Sequence, residues 1–272
     1  MEAFLAFLFG LLAGSFVNVC IHRWPRGRSV VKPRSHCVRC RQTIAWYDNI
    51  PLVSYAVLRG RCRHCGKRIS ARYPLVELIT GLLFFYFVFM LGATPAAFKM
   101  CLFTAMLVAL MFCDLEKRIL PDELTVGGAA IGLVLALFVP VPDITAGALF
   151  WIFGVELGGT LESLAESVCG ALLPALVLWG GGWIYYKVRH REGLGFGDVK
   201  LISMVGSFLG LRGALLTLII GSICGSIVGY GYIKATGKDA ATYELPFGTF
   251  LGAAALAAAI VGPWVLGGYG GL

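Results

Sequence analysis

The sequence predicts an all-α polytopic membrane protein of about eight transmembrane helices, with a zinc-stabilised cytoplasmic loop between the first two. Three observations carry this expectation. Of 272 residues, 58% are hydrophobic and only 14% charged, and the mean hydropathy of +0.81 is too high for a soluble domain. The apolar residues gather in runs that approach the ~20 residues a spanning helix needs. Between the first two runs lies a stretch that holds 13 of the 23 basic residues and four cysteines in two C-x-x-C pairs.

The elements follow in chain order. The first run, 3–21, has no basic flank before it and no A-x-A-like cleavage site, and "CIHRWPRGR" follows as a stop-transfer flank, so it is expected to remain as an anchor. In the loop 22–72, Asp48 is the only acid, and the excess of Lys and Arg assigns it to the cytoplasm, which leaves "MEAF" outside. Further runs stand at 75–92, 97–113, 124–139, 164–186, 199–211, 213–233 and 246–267. Alternation places "DLEKR" (114–118), "KVRHRE" (187–192) and "KATGK" (234–238) inside, each a basic cluster. It places 140–163, which has Asp143, Glu156 and Glu162 and no basic residue, outside. The run 199–211 is short for a span, and 144–157 reads as a further apolar segment or an outer-surface helix. The chain thus divides into a first helix (1–21), a tetracysteine loop (22–74) and a helical bundle (75–272). The basic loop suits anionic lipid headgroups, and a nucleic-acid partner is not expected.

"CVRC" (37–40) and "CRHC" (62–65) are separated by 21 residues, close to the spacing of paired zinc knuckles. Four thiolates from Cys37, Cys40, Cys62 and Cys65 would complete a closed tetrahedron around one zinc ion, a structural site. The metal would replace the hydrophobic core that a charged loop of this size cannot build. Disulfides or a redox pair are the alternatives, and a reducing cytoplasm disfavours them. His36 and His64 stand beside the knuckles as substitute ligands. Cys20, Cys101, Cys113, Cys169 and Cys224 fall in or at the ends of apolar runs and read as small packing residues.

Two acids stand at the ends of apolar runs. Asp114 closes "LFTAMLVALMFCD", and Asp198 opens a run in "GLGFGDVKLI". Both are expected at the cytoplasmic ends of spans, at similar depth, where they can face each other. Two neighbouring carboxylates in a desolvated site share a proton, so one can activate water while the other polarises a peptide carbonyl. Gly195 and Gly197 are expected to supply a backbone conformation denied to other residues and room for a substrate chain. Lys200 is expected to bias the pair or hold a carbonyl. The plainer alternative makes Asp198 a helix cap, as it makes Asp122 in "LPDELT" a first-turn acid. Glycines at four-residue spacing, Gly206 and Gly210 and again Gly221, Gly225 and Gly229, favour tight helix packing over a substrate groove.

Together these stretches resemble the bacterial type IV prepilin peptidases. The resemblance rests on "GSFVNVCIHRWP" (14–25), "CVRC", "WYDNIPLVSY" (46–55), "RGRCRHCGKRISARYPLVE" (59–77), "DLEKRILPDELT" (114–125), "GLGFGDVKL" (193–201) and "LPFGTFLG" (245–252), in order along the chain. It implies that Asp114 and Asp198 are the catalytic pair of a GxGD-type intramembrane aspartyl protease of the inner membrane. It implies substrates that are type IV prepilins or pseudopilins, cut after a glycine, and methylation of the new N-terminal amine with S-adenosylmethionine. Relatives without the cysteine loop are peptidases only. The family associates the cofactor with a small-basic dipeptide before the third cysteine, here Gly60 and Arg61. Glu77, at the start of the second span, is available to the cofactor site, to a helix contact or to a helix N-terminus. Thr249 stands where the family usually has proline, "CIHRWP" varies a common pattern, and 143–163 is long; none of these departures is expected to touch the aspartates. A proton- or cation-coupled transporter built on the paired acids is the main rival, and a non-catalytic zinc-knuckle adaptor a third.

Overall fold

The structure is a computed structural model that describes residues 1–141, 145–152, 154, 157–190, 194–237 and 245–266. The described residues are helical, with no strand beyond two isolated bridges, His36 to Thr43 and Arg61 to Arg68. The chain forms two compact units, Met1–Ala109 and Leu110–Leu272.

The first unit contains α1 (Glu2–Arg23), the short α2 (Val53–Val57), α3 (Arg72–Leu91) and the start of α4 (Pro95–Lys117). Helices α1 and α3 lie side by side because glycines let their backbones meet. A Cβ on Gly14 would stand 2.7 Å from Glu77 Cα, and one on Gly10 2.8 Å from Gly81 Cα. The side chains are inverted relative to a soluble pair. Gly10, Gly14, Asn18, Thr80 and Gly81 are buried, while Phe4, Phe9, Leu12, Phe16, Leu82 and Phe89 are exposed. An apolar outer surface of this kind is stable against lipid tails and unstable in water. Beyond α1 the chain is turned by Arg23, whose guanidinium donates to the carbonyls of Ser29, Val30 and Pro33 at 3.1, 3.1 and 2.6 Å. That explains how a buried arginine can end an apolar helix.

The second unit contains the end of α4, α5 (Asp122–Ala136), α6 (Thr145–Ile152), α7 (Thr160–Arg189), α8 (Phe196–Thr236) and α9 (Phe247–Leu266). Helix α8 is central and packs on α5, α7 and α9. It is two helices joined at Gly210, whose φ of 75° and ψ of −174° suit glycine alone. The break falls where the sequence separates the runs 199–211 and 213–233. The four-residue glycine pattern serves packing: Gly206 abuts the carbonyl of Gly170 on α7, and Gly221 and Gly225 face Leu251, Ala254 and Phe247 of α9.

Five helices among the described residues, α1, α3, α4, α7 and α8, are long and apolar enough to cross a membrane. The chain is therefore a multi-pass membrane protein. The run at 124–139 forms α5, only 15 residues long, and that at 246–267 forms α9, apolar and helical over its described length. The segment 144–157 yields the short α6, while Asp143 and Glu156 lie outside the described residues.

Candidate active site and cysteine cluster

The two cysteine knuckles are built alike. In the first, Cys37 N–H donates to Gln42 O and Arg41 N–H to Cys37 O, both at 2.9 Å; in the second, Cys62 N–H donates to Lys67 O and Gly66 N–H to Cys62 O, both at 2.9 Å. Arg41 and Gly66 occupy equivalent left-handed positions, with φ of 58° and 65°. These turns bring the Sγ atoms of Cys37, Cys40, Cys62 and Cys65 within 4.8 Å of one another, Cys37 and Cys65 at 4.0 Å. Four thiolates each ~2.3 Å from one tetrahedral ion stand roughly 3.8 Å apart, so the set fits a metal with little adjustment. No disulfide forms among them. Burial pushes the Cys37 thiol up, yet the backbone hydrogen bonds with Cys40 and Arg39 and the adjoining thiols bring it down to about 7, which favours a thiolate. His36 is turned to Arg34 O, 3.0 Å from Nδ1, and is not a member of the cluster.

A contact that sequence reading missed pins "WYDN" to the second knuckle. Arg63 Nε and Nη2 donate to Asp48 Oδ2 and Oδ1, each at 2.7 Å, and the guanidinium lies 5.7 Å from the centre of the Tyr47 ring. The Arg63 hydrogen bonds hold the Asp48 carboxyl below the usual carboxylate range. The lone acid of a basic loop was the available signal, because an acid with one obvious class of partner is rarely idle.

Gly60 and Arg61 lie at the approach to the second knuckle. Gly60, with φ of 65°, donates its N–H to Tyr55 O at 2.8 Å and accepts from Ile69 N–H at 2.7 Å, and its Cα lies against the Tyr55 ring. Arg61 forms the bridge to Arg68. Glu77 is buried, and its Oε2 accepts from Leu52 N–H at 2.9 Å. It steadies Leu52, a non-glycine residue at φ of 60° where α2 begins. These hydrogen bonds tie Glu77 to the start of α2 and Gly60 to its end; they do not join the two residues.

Asp114 lies one turn before the end of α4 and Asp198 is the third residue of α8; they are 5% and 8% exposed. The two carboxylates are near enough to feel each other's charge. Gly195 precedes α8 in ordinary extended backbone, φ −72° and ψ 134°, so the expected special conformation is not what requires glycine here. Space is: a Cβ on Gly195 would sit 3.3 Å from Asp198 Oδ2, and one on Gly197 3.2 Å from Leu120 Cβ. Asp198 also accepts from the Gly195 amide, so it makes the reach-back bond of a helix start as well as facing Asp114. Lys200 Nζ bonds Asp122 Oδ1 at 2.7 Å and ties the start of α8 to the start of α5.

The expectation that no departure touches the aspartates is overturned by Thr249. Its N–H and its hydroxyl both donate to Asp114 Oδ2, at 2.7 and 2.9 Å. Gly248 lets this happen, since a Cβ there would stand 3.2 Å from Asp114 Cγ. Sequence distance hid the contact, 135 residues apart. A polar residue in the first turn of a helix was the only signal, because first-turn amides have no partner within their own helix.

A family model for the bacterial peptidase A24 N-terminal domain matches residues 8–91, and one for the type IV leader peptidase family matches residues 101–230. The chain is 36% identical over 271 residues to a prepilin leader peptidase/N-methyltransferase of Aeromonas hydrophila, covering 91% of this chain and 86% of that one. A Pseudomonas putida protein of the same name is 33% identical over 283 residues, covering 95% and 90%. One from Myxococcus xanthus (strain DK1622) is 40% identical over 236 residues, covering 87% of this chain and 64% of the longer relative. No solved structure matches the chain.

Proposed function

The chain belongs to the type IV leader peptidase family, and from that premise we infer that it removes the leader from type IV prepilins or pseudopilins and N-methylates the residue so exposed. The observation that carries the peptidase assignment is the buried, mutually interacting pair Asp114 and Asp198. One carboxylate, ionised, takes a proton from water as the water oxygen bonds to the carbonyl carbon that ends the leader. The other, protonated, gives its proton to the carbonyl oxygen. The resulting gem-diol collapses as the C–N bond breaks; the proton taken from water passes to the departing amine, and a diol proton returns to the second carboxylate. Water is consumed, and both side chains end as they began. Gly197 lets the start of α8 pack closely against Leu120, one residue before Asp198.

The four cysteines would hold zinc, the ion that tetrahedral Cys₄ sites favour, and it would fix the two knuckles against each other. Methylation needs a donor, S-adenosylmethionine, which supplies an electrophilic methyl group. Gly60, Arg61 and Glu77 are its candidate contacts on resemblance, but Gly60 is packed on Tyr55 and Glu77 is engaged with Leu52, so they do not form a ready cradle. We assign no step of methyl transfer to them. The loop 22–74 is the part associated with methylation and the bundle 75–272 with cleavage. The membrane is the bacterial inner membrane, with the basic loop facing the cytoplasm and anionic lipid. The transporter reading gains nothing from the family to which the chain belongs.

The test is the mass of a co-expressed pilin N-terminus. Asp114→Asn and Asp198→Asn should each leave the leader attached, while a synthetic mature N-terminus should still be methylated. Processing at wild-type rate by both variants would falsify the aspartyl assignment.

A further inference from the structure

Two carboxylates that share one proton divide the work of hydrolysis only when their surroundings differ. In this chain the difference lies at Asp114 Oδ2, which accepts two hydrogen bonds from a single residue, Thr249 N–H at 2.7 Å and Thr249 Oγ1 at 2.9 Å. An amide N–H can only donate, so Oδ2 acts as an acceptor and a proton on Asp114 would have to sit on Oδ1. Hydrogen bonds donated to a carboxylate favour its charged form, and two on one oxygen do so more than one. Each donor has a second acceptor, Met111 O for the hydroxyl and Pro246 O for the N–H, but at a longer 3.2 Å. Among the described residues, the donor to Asp198 is the Gly195 amide.

The charges around the pair act in the same direction. Arg118, one turn further along the chain from Asp114, is the cation whose field Asp114 feels, whereas the charge that Asp198, on α8, feels is that of Asp114. Helix α9 carries no titratable side chain, and it presents to Asp114 the pair of neutral donors on Thr249. From α5, Asp122 is neutralised by its bond to Lys200.

We propose that Thr249 is a positioning residue that keeps Asp114 the ionised member of the pair, so that Asp114 takes the proton from water and Asp198 carries the proton that polarises the scissile carbonyl. This rests on Asp114 and Asp198 being the catalytic pair.

The experiment measures prepilin cleavage by the purified full-length enzyme in lipid nanodiscs, as kcat and KM from about pH 5 to about pH 9. Thr249→Val removes the hydroxyl and keeps shape and N–H. It should lower kcat roughly tenfold, leave KM within about twofold, and move the acid limb of the profile upward by about half a pH unit or more. Thr249→Ser should restore both, and Thr249→Pro, which the first turn of a helix tolerates, should move the limb further. A Thr249→Val profile that superimposes on wild type overturns the proposal, as does a reduced yield of protein whose folded fraction keeps the wild-type limb, or a serine variant that fails to rescue. Asp114→Asn and Asp198→Asn, run alongside, separate the two levels. If they are dead and Thr249→Val is normal, only the role of Thr249 fails; if they cleave, the assignment of the pair fails beneath it.

Discussion

At the scale of single residues, the site is a set of close approaches. Gly197 matters because Leu120 stands beside it, and a valine there would push its branched Cβ into that side chain. Gly197→Val should therefore reduce cleavage by at least about a hundredfold. Zinc content should stay unchanged; normal cleavage by a folded Gly197→Val protein would make "GFGD" no more than a helix start. Asp48 offers a pH test outside the membrane. Its carboxyl is held below its ordinary value by the Arg63 hydrogen bonds, so the charged, bonded form is present above about pH 4 and is lost as pH falls through the depressed value of the folded state. The Trp46–Asn49 turn should then stay pinned to the second knuckle at neutral pH and loosen only in acid. Asp48→Asn should loosen it at neutral pH, visible as faster amide exchange across residues 46–63. The sequence reading singled out the aspartates as acids at apolar boundaries, but it did not foresee the contacts of Thr249 and Lys200, because what a side chain touches depends on residues far away in the chain.

At the scale of elements, the glycine spacing was legible as packing and the structure makes the same use of it. The separation of the runs 199–211 and 213–233 marked a break inside α8 but not its form. A run of apolar residues reads as helix on either side of Gly210, and only the backbone there, at φ of 75°, shows the two halves joined without a loop. Gly210→Ala should cost on the order of 1–3 kcal/mol, as strain in a region that residues with a Cβ avoid. The measurement is detergent-solubilised thermal unfolding, and an unchanged midpoint would show that the break can straighten. The knuckles illustrate the opposite case. Paired C-x-x-C spacing predicts a metal site by itself, since two cysteines three apart cannot avoid converging in a tight turn, and the repeated hydrogen bonds at 37–42 and 62–67 are that turn made twice.

At the scale of the whole molecule, the cysteine cluster and the candidate pair fall on separate compact units. The four cysteines belong to Met1–Ala109, whereas Asp114, Asp198, Leu120 and Thr249 belong to Leu110–Leu272. Cys62→Ala should release the metal and abolish methylation while leaving the cleavage rate within about threefold, as expected for sites without shared partners. About one zinc per chain in freshly purified, reduced protein, by elemental analysis, and none in Cys62→Ala would agree with this. Loss of cleavage in step with zinc would show that the units are not independent. The membrane class, the clustering of the four cysteines and the candidate pair were all legible in the sequence alone, because each is a matter of composition or local spacing: lipid demands apolar runs, a tetrahedral ion demands paired ligands, and an acid at the edge of an apolar run must have a partner or a task. Tertiary structure decided what those residues meet. It placed Thr249 on Asp114, Lys200 on Asp122, Arg63 on Asp48 and Glu77 beneath Leu52, since a hydrogen bond is directional and short, and which donor arrives within 3 Å is settled by how helices far apart in sequence pack.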